Sequence, residues 1–101
     1  MDSSAFLPTA YVEFRAVLDR HCKDLAAHYP ERQSTTWFFL RYVQRVARRA
    51  HAHGSARDCN SAMRGLTRFY VDRIESDSDL AWRFEEILEA HRKALRFAHG
   101  L

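Results

Sequence analysis

The sequence predicts an all-α protein, a single-domain bundle of about four helices. Apolar residues recur at alternating spacings of three and four along most of the chain, which is the period of an amphipathic helix. Only three glycines and two prolines occur in 101 residues, so turn signals are few. No run of Val, Ile and Thr alternates with polar residues as a strand does. With 47% hydrophobic and 29% charged residues, residues 1–101 are predicted to form one globular domain.

Helix 1 is predicted over residues 10–29, with Thr9 as its N-cap. Pro30 disfavours the helical conformation in the residue before it, and it is predicted to end the helix at Tyr29. The predicted core face is a single apolar stripe with charged residues opposite. Its members are Tyr11, Phe14, Leu18, His21 or Cys22, Leu25 and Tyr29.

Helix 2 is predicted over residues 36–53. Ser34, Thr35 or Thr36 can cap its first turn, and Gly54 is a natural residue to follow its last one. The predicted core face comprises Phe39, Tyr42, Val43, Val46, Ala47 and Ala50.

Helix 3 is predicted over residues 56–75, with Ser55 or Asp58 as its cap. Gly65 lies in its middle, where it either permits close approach of another helix or has no packing role. The predicted core face comprises Cys59, Ala62, Met63, Leu66, Phe69, Tyr70 and Ile74.

Helix 4 is predicted over residues 79–98. The run Ser76-Asp77-Ser78-Asp79 is the clearest loop and capping signal in the chain, and its acids suit the positive end of a helix. The predicted core face comprises Leu80, Phe84, Ile87, Leu88, His91, Leu95 and Ala98.

Three large aromatic residues fall outside these core faces. Trp37 and Phe38 lie on the arginine side of helix 2, with Arg41 and Arg45 one and two turns further on. Trp82 lies beside glutamates on helix 4. Interfaces are enriched in aromatic residues and arginine, so these five residues are predicted to bind a partner protein, with a homodimer as an intermediate possibility. The structural alternative packs Trp37 against the Tyr29-Pro30 turn and Trp82 against helix 2 or 3.

Nucleic acid is the alternative partner, because positive charge is concentrated in the middle of the chain. Residues 34–73 carry eight arginines and two aspartates, a net charge of +6. The turn at Gly54 between two basic helices is similar to a helix-turn-helix. Both helices are longer than that compact motif requires, however, and Asp58 would repel phosphate. The overall charge of +3 is modest for a DNA-binding protein.

No catalytic, cofactor or metal site is predicted. His51 and His53 lie two residues apart and point in different directions on a helix, and with Cys59 they match no zinc spacing. No nucleophile–base order, phosphate loop or carboxylate pair is visible. His21 and His91 lie on or beside apolar faces, where a hydrogen-bonded core histidine is the usual outcome. Neither a signal peptide nor a membrane span is expected, and two isolated cysteines fit a reduced cytoplasmic protein.

In its size, helical content and general character, the chain resembles the small all-helical cytoplasmic regulators of bacteria that bind and disable another protein. Anti-activators of quorum-sensing transcription factors are an example. The resemblance implies a protein without chemistry of its own, which masks a dimerisation or DNA-binding surface of its target. It extends over the whole chain and rests on no diagnostic motif, so it assigns no site residue.

Overall fold

The computed structural model describes residues 8–75 and 78–97 and confirms the all-α fold class. No strand occurs in these two ranges. Four α-helices and one short 3₁₀ turn follow one another along the chain. They are α1 (Thr9–Ala27), α2 (Thr35–Ala52), the 3₁₀ turn (Ala56–Cys59), α3 (Asn60–Arg73) and α4 (Asp79–Phe97).

One apolar core joins all four helices. α1 lies between α2 and α4 and packs extensively on both, whereas α3 packs mainly on α2 and touches α4 over a smaller area. The predicted core stripes supply most of the buried side chains, because each helix turns its apolar stripe inward. The largest fully buried apolar residues are Tyr11, Phe14, Leu18, Phe39, Val43, Val46, Leu66 and Ile87.

The start of α2 confirms one predicted cap, whereas the start of α1 does not. The Ser34 hydroxyl accepts a hydrogen bond from the backbone N–H of Trp37 (3.1 Å) and so satisfies one free donor of the first turn. Thr9 is not an N-cap: it is the first residue of α1, and the N-cap position is Pro8, which has no side chain able to accept. The fixed φ of proline suits the entry of a helix, which explains the shift by one residue.

The prediction that Tyr29 lies on the core face of α1 was wrong. α1 ends at Ala27, and Tyr29 adopts a left-handed backbone conformation with φ of 47°. Its side chain is 89% exposed. The cause is Pro30, which disfavours the right-handed helical region at the preceding residue, so the chain leaves the helix before the stripe reaches Tyr29.

The second half of the chain begins with a tighter turn than predicted. Residues 56–59 form a 3₁₀ turn, and the Ser55 hydroxyl accepts from the N–H of Arg57 (3.2 Å). Ser55 therefore caps the 3₁₀ turn, whereas α3 begins at Asn60 with Cys59 at its N-cap position and no capping side chain, so neither Ser55 nor Asp58 caps α3 as predicted. Gly65 in α3 faces the ring of Tyr42, and a Cβ at this position would lie 3.6 Å from the nearest ring carbon. This is an ordinary contact distance, so the packing of α2 on α3 does not require glycine.

α4 buries Leu80, Phe84, Ile87 and His91 as predicted, while Leu88 and Leu95 are half-buried. Ala98, Ser76 and Asp77 lie outside the described residues. A charged residue that the predicted stripe omitted, Arg83, is also buried on α4, with 7% of its surface exposed.

A single tyrosine ties the first helix to the end of the second. The hydroxyl of Tyr11 lies within hydrogen-bond distance of the carbonyl oxygens of Ala50 and His53, 2.6 Å from that of His53, and its single hydrogen is shared between them. The last carbonyls of an α-helix have no partner within the helix, so Tyr11 supplies a donor to this end of α2. Burial raises the pKa of Tyr11 to about 12. The hydroxyl therefore stays protonated and remains a donor at neutral pH.

Membrane insertion through a helix finds no support in the described part of the chain. None of its helices combines the length and the apolar character needed to cross a bilayer.

Candidate functional site

Four aromatic rings from α2 and α3 form a connected row at the protein surface. Trp37 and Phe38 meet edge to face with centroids 4.9 Å apart, and Phe38 lies 6.4 Å from Phe69 of α3. Phe69 stacks on Tyr42 at 5.0 Å with an angle of 23° between the rings. We call these four residues the aromatic row. Phe38 is 38% exposed and the other three are half-buried, so the row belongs partly to the core and partly to the surface.

Two arginines of α2 lie on the aromatic row. The Arg41 guanidinium lies 4.8 Å above the centroid of Trp37, and that of Arg45 lies 5.3 Å above Tyr42. Each pair is one helical turn apart, which is the spacing at which side chains on a helix surface meet. A guanidinium attracted to a ring face loses part of its rotational freedom, while its N–H groups at the edge remain available. The stacked guanidinium groups of Arg41 and Arg45 can therefore donate to anionic or carbonyl groups.

The surrounding surface of α2 and α3 is positively charged and lacks internal compensation. Seven exposed arginines of these helices make no ion pair with any described residue: Arg41, Arg45, Arg48, Arg49, Arg64, Arg68 and Arg73. No carboxylate of the described residues therefore offsets the charge of these arginines in an ion pair. Like charges at this density repel one another, and binding of an anionic surface would relieve that repulsion.

The structure thus brings together four of the five residues predicted to bind a partner, Trp37, Phe38, Arg41 and Arg45. Trp82 lies elsewhere, on the face where α4 packs on α1. It is 47% exposed, and its indole N–H donates to the Asp79 carboxylate (2.7 Å). Its ring meets the ring of His21 from α1 at 5.2 Å, rather than a side chain of α2 or α3.

Trp82 borders a second notable cluster, a buried polar network between α1 and α4. His21 is fully buried at its centre. Arg83 Nη1 donates to His21 Nδ1 (3.0 Å), and on the other side His21 Nε2 lies 2.7 Å from the Glu86 carboxylate. Arginine can only donate, so Nδ1 must be the acceptor and Nε2 must carry the proton given to Glu86. This arrangement fixes His21 as one neutral tautomer.

The surroundings of His21 favour its neutral form. Burial lowers the pKa of His21, and the positive charge of Arg83 acts in the same direction, against the opposing influence of Glu86. Burial raises the pKa of Glu86, but its hydrogen bonds and charge interactions with His21 and Arg20 outweigh burial and leave it lowered. The pKa of Asp79 is lowered by its hydrogen bonds from Trp82 and Arg83.

This network links α1 to α4, and its polar atoms are engaged with one another rather than free to react. Both nitrogens of His21 are occupied by protein partners, and Arg83 also pairs with Asp79 (3.0 Å) and approaches Asp24 (3.7 Å). In the described residues every buried side-chain nitrogen or oxygen has a hydrogen-bond partner. His21 has no nitrogen left to activate a nucleophile.

His28, His51 and His53 lie apart from this network, at the surface. His51 pairs with Asp19 (2.8 Å), while His53 lies 3.9 Å from Asp58. Neither joins buried Cys59 in a cluster. Across residues 8–75 and 78–97, no three His, Cys, Asp or Glu side chains converge as metal ligands would.

Sequence reasoning missed Arg83, although the pattern contained the signal. Arg83 is three residues after Leu80 and four before Ile87, so it occupies a position of the core stripe on α4. A charged residue at such a position predicts a buried ion pair, here facing the similarly placed His21 of α1. Tyr42 and Phe69 were assigned to the core faces, and periodicity alone could not show that they extend to the surface between α2 and α3.

Comparison with known protein families, curated proteins and solved structures returned no match to this chain.

Proposed function

We propose that this protein is a non-enzymatic regulatory module that binds another protein through the aromatic row and the arginines of α2. The observation that supports this proposal is the stacking of two exposed arginines on aromatic rings, Arg41 on Trp37 and Arg45 on Tyr42. Neither arginine has a carboxylate partner in the described residues. Aromatic side chains with adjacent arginines are the residue types that dominate binding energy at protein interfaces.

The accessibility of the ring faces favours a protein over a single-stranded nucleic acid. Bases bind to proteins by stacking on the flat face of an aromatic side chain. In the aromatic row several of these faces are taken: Arg41 covers one face of Trp37, and Phe69 and Arg45 both lie against the ring of Tyr42. The guanidinium groups stacked there suit the carbonyls and carboxylates of a protein surface.

Nucleic acid remains the second candidate, and a specific observation favours it. The seven exposed arginines of α2 and α3 could neutralise several phosphates of a duplex without contacting bases.

Within the first proposal, the protein acts by occupying and masking a surface of its partner. A transcription factor in the bacterial cytoplasm is the target that the general resemblance favours, as for an anti-activator. Self-association through the exposed edge of Trp82 would then be a separate property of the α1–α4 face.

Co-purification from extracts of the cells that make the protein, followed by binding measurements with the purified partner, tests the proposal. We expect Trp37→Ala to weaken binding by at least about 2 kcal/mol, as loss of a buried aromatic anchor does. Arg41→Ala and Arg45→Ala should weaken it less and act partly on the association rate. Val12→Ala on α1 is the matched control, since Val12 is an exposed apolar residue on another helix.

Two results would contradict the proposal. The first is a Trp37→Ala protein with a large drop in melting temperature and unchanged affinity, because Trp37 would then be a structural residue. The second is a salt titration on duplex DNA in which log affinity falls linearly with log salt, at a slope of about −0.9 per neutralised phosphate. The latter result would support the nucleic-acid alternative.

A further inference from the structure

A groove between α3 and α4 lies outside the surface used in the proposed function. The two helices meet near one end through Tyr70 and Phe84, whose rings stack at 4.1 Å. Towards the other end, His91 of α4 is linked to the Ala56 carbonyl by a hydrogen bond of 3.0 Å. Beside these contacts lies a cavity of about 500 Å³, lined by residues of α3 and by His91 of α4.

The groove has apolar groups along its length. Met63 forms part of its floor and is only 4% exposed, whereas Val71 on the wall is 71% exposed. An exposed valine in line with a buried methionine extends the apolar surface of the core outward. The groove is open to solvent along one side. Sites for small molecules bury most of the ligand surface, so this groove would enclose a small molecule poorly. A larger partner that covers the groove from outside suits this shape better.

The charge at the rim is positive and comes from α3. Arg64 and Arg68 are exposed, line the groove, and make no ion pair with a described residue. Asp72 is the one acid in the described lining. α4 contributes His91, and because burial lowers the pKa of this histidine it is neutral at pH 7. No acidic side chain of α4 therefore balances the two arginines.

The dimensions of the groove match a helix. Its lining runs along α3 from Asn60 to Asp72, about 18 Å or a little over three helical turns at 1.5 Å per residue. Arg64 and Arg68 are separated by about 6 Å along the same axis. Two acidic residues four positions apart on a facing helix have the same separation. Helices that bind in grooves use apolar anchors at this same spacing.

We propose that the groove between α3 and α4 binds an amphipathic, acidic α-helix of a partner protein, about three turns long. Its apolar side chains pack against Met63 and Val71, and two carboxylates one turn apart pair with Arg64 and Arg68. The groove faces α4, whereas the aromatic row lies where α3 meets α2, so this proposal stands even if the aromatic row binds nothing.

Selection from a display library of helical peptides tests the proposal and does not require the partner to be identified first. The immobilised full-length protein selects peptides, and fluorescence anisotropy then gives the Kd of enriched sequences. We expect enriched peptides to carry acidic pairs four residues apart beside an apolar stripe. The double variant Arg64→Gln/Arg68→Gln should weaken them about ten-fold or more, as loss of two charge-assisted contacts does. The matched variant Arg41→Gln/Arg45→Gln should bind them as the wild type does.

Circular dichroism on both double variants checks that these exposed substitutions leave the fold intact. Several outcomes would overturn the proposal: no enrichment, enrichment of peptides without acidic pairs, or equal binding by Arg64→Gln/Arg68→Gln. Loss of binding only in Arg41→Gln/Arg45→Gln would move the peptide site to α2 and also overturn it. A wild-type dimer that Arg64→Gln/Arg68→Gln converts to monomer would identify a second copy of the chain as the occupant and overturn the assignment to a foreign helix.

Discussion

Acidification should destabilise this protein over a pH range that is set by the pKa values of its two buried histidines. His21 and His91 are 0% and 5% exposed, and the pKa of each is lowered, mainly by burial. The unfolded chain, with a histidine pKa of about 6.5, therefore binds more protons than the folded chain just below that pH. The contribution of the two neutral histidines to the stability of the fold is complete above about pH 6.5. It is lost progressively as the pH falls towards their lowered pKa values in the folded protein.

The size of the effect follows from linkage. Each buried histidine contributes at most about 1.4 kcal/mol of stability loss per pH unit in this range. Because the unfolded histidine is only half protonated at about pH 6.5, the integrated limit is about 1 kcal/mol per histidine, or about 2 kcal/mol for both, between about pH 6.5 and 5.5. The carboxylates of Glu86 and Asp79 do not contribute there: their pKa values are lowered, so their stabilisation is lost only at more acidic pH, below the values of the unfolded chain.

The substitution His21→Gln isolates one of the two histidines. Urea unfolding followed by circular dichroism at about pH 7.5, 6.5 and 5.5 gives the free energy of unfolding of both proteins. The variant should be less stable at pH 7.5, because it loses fitted contacts with Arg83 and Glu86. Its dependence on pH should be about half as steep as that of the wild type, since only His91 remains. A wild-type slope retained in His21→Gln would refute the reasoning.

Trp82 offers a local check on the same event. The chain has two tryptophans, so in a Trp37→Phe background the fluorescence comes from Trp82 alone. Its ring lies 5.2 Å from that of His21, within range for quenching by an imidazolium. Emission should fall on acidification in the folded protein and should not do so when His21→Gln is added. Emission that falls equally in both proteins would show that His21 is not the group that titrates.

Three further predictions concern packing and are measured by urea or thermal unfolding. Tyr11→Phe should destabilise by about 1–3 kcal/mol, because it removes the donor shared by the carbonyl oxygens of Ala50 and of His53, the residue after α2; an unchanged stability would mean that water replaces the hydroxyl. Gly65→Ala should stabilise by up to about 1 kcal/mol, since the new methyl group finds ordinary contact with the Tyr42 ring; a loss of stability would contradict this. Leu66→Ala should cost about 2–5 kcal/mol and half-buried Leu88→Ala less, and the reverse order would contradict the burial described above.

Periodicity was sufficient for the fold because each helix carries its own apolar stripe. It failed at Tyr29, because the apolar spacing continues past the end of α1, whereas Pro30 disfavours the helical conformation at Tyr29. For the candidate site, it separated Trp37 and Phe38 correctly from the deepest core of α2. It could not show that Phe69, from a different helix, completes the row with them, because that contact depends on how α3 packs on α2. Arg83 was missed because the stripe was defined by apolar residues alone.

The contacts between the first and last helices have a consequence for biosynthesis. His21 meets Arg83 and Glu86 across 62 and 65 positions of sequence, and α1 packs on α4 extensively. During translation, α1 through α3 emerge from the ribosome before α4 exists, so one side of α1 then exposes its buried histidine and apolar neighbours to solvent. The nascent chain can close its core only when α4 has been released. Until that moment the uncovered side of α1 is a surface that chaperones can recognise.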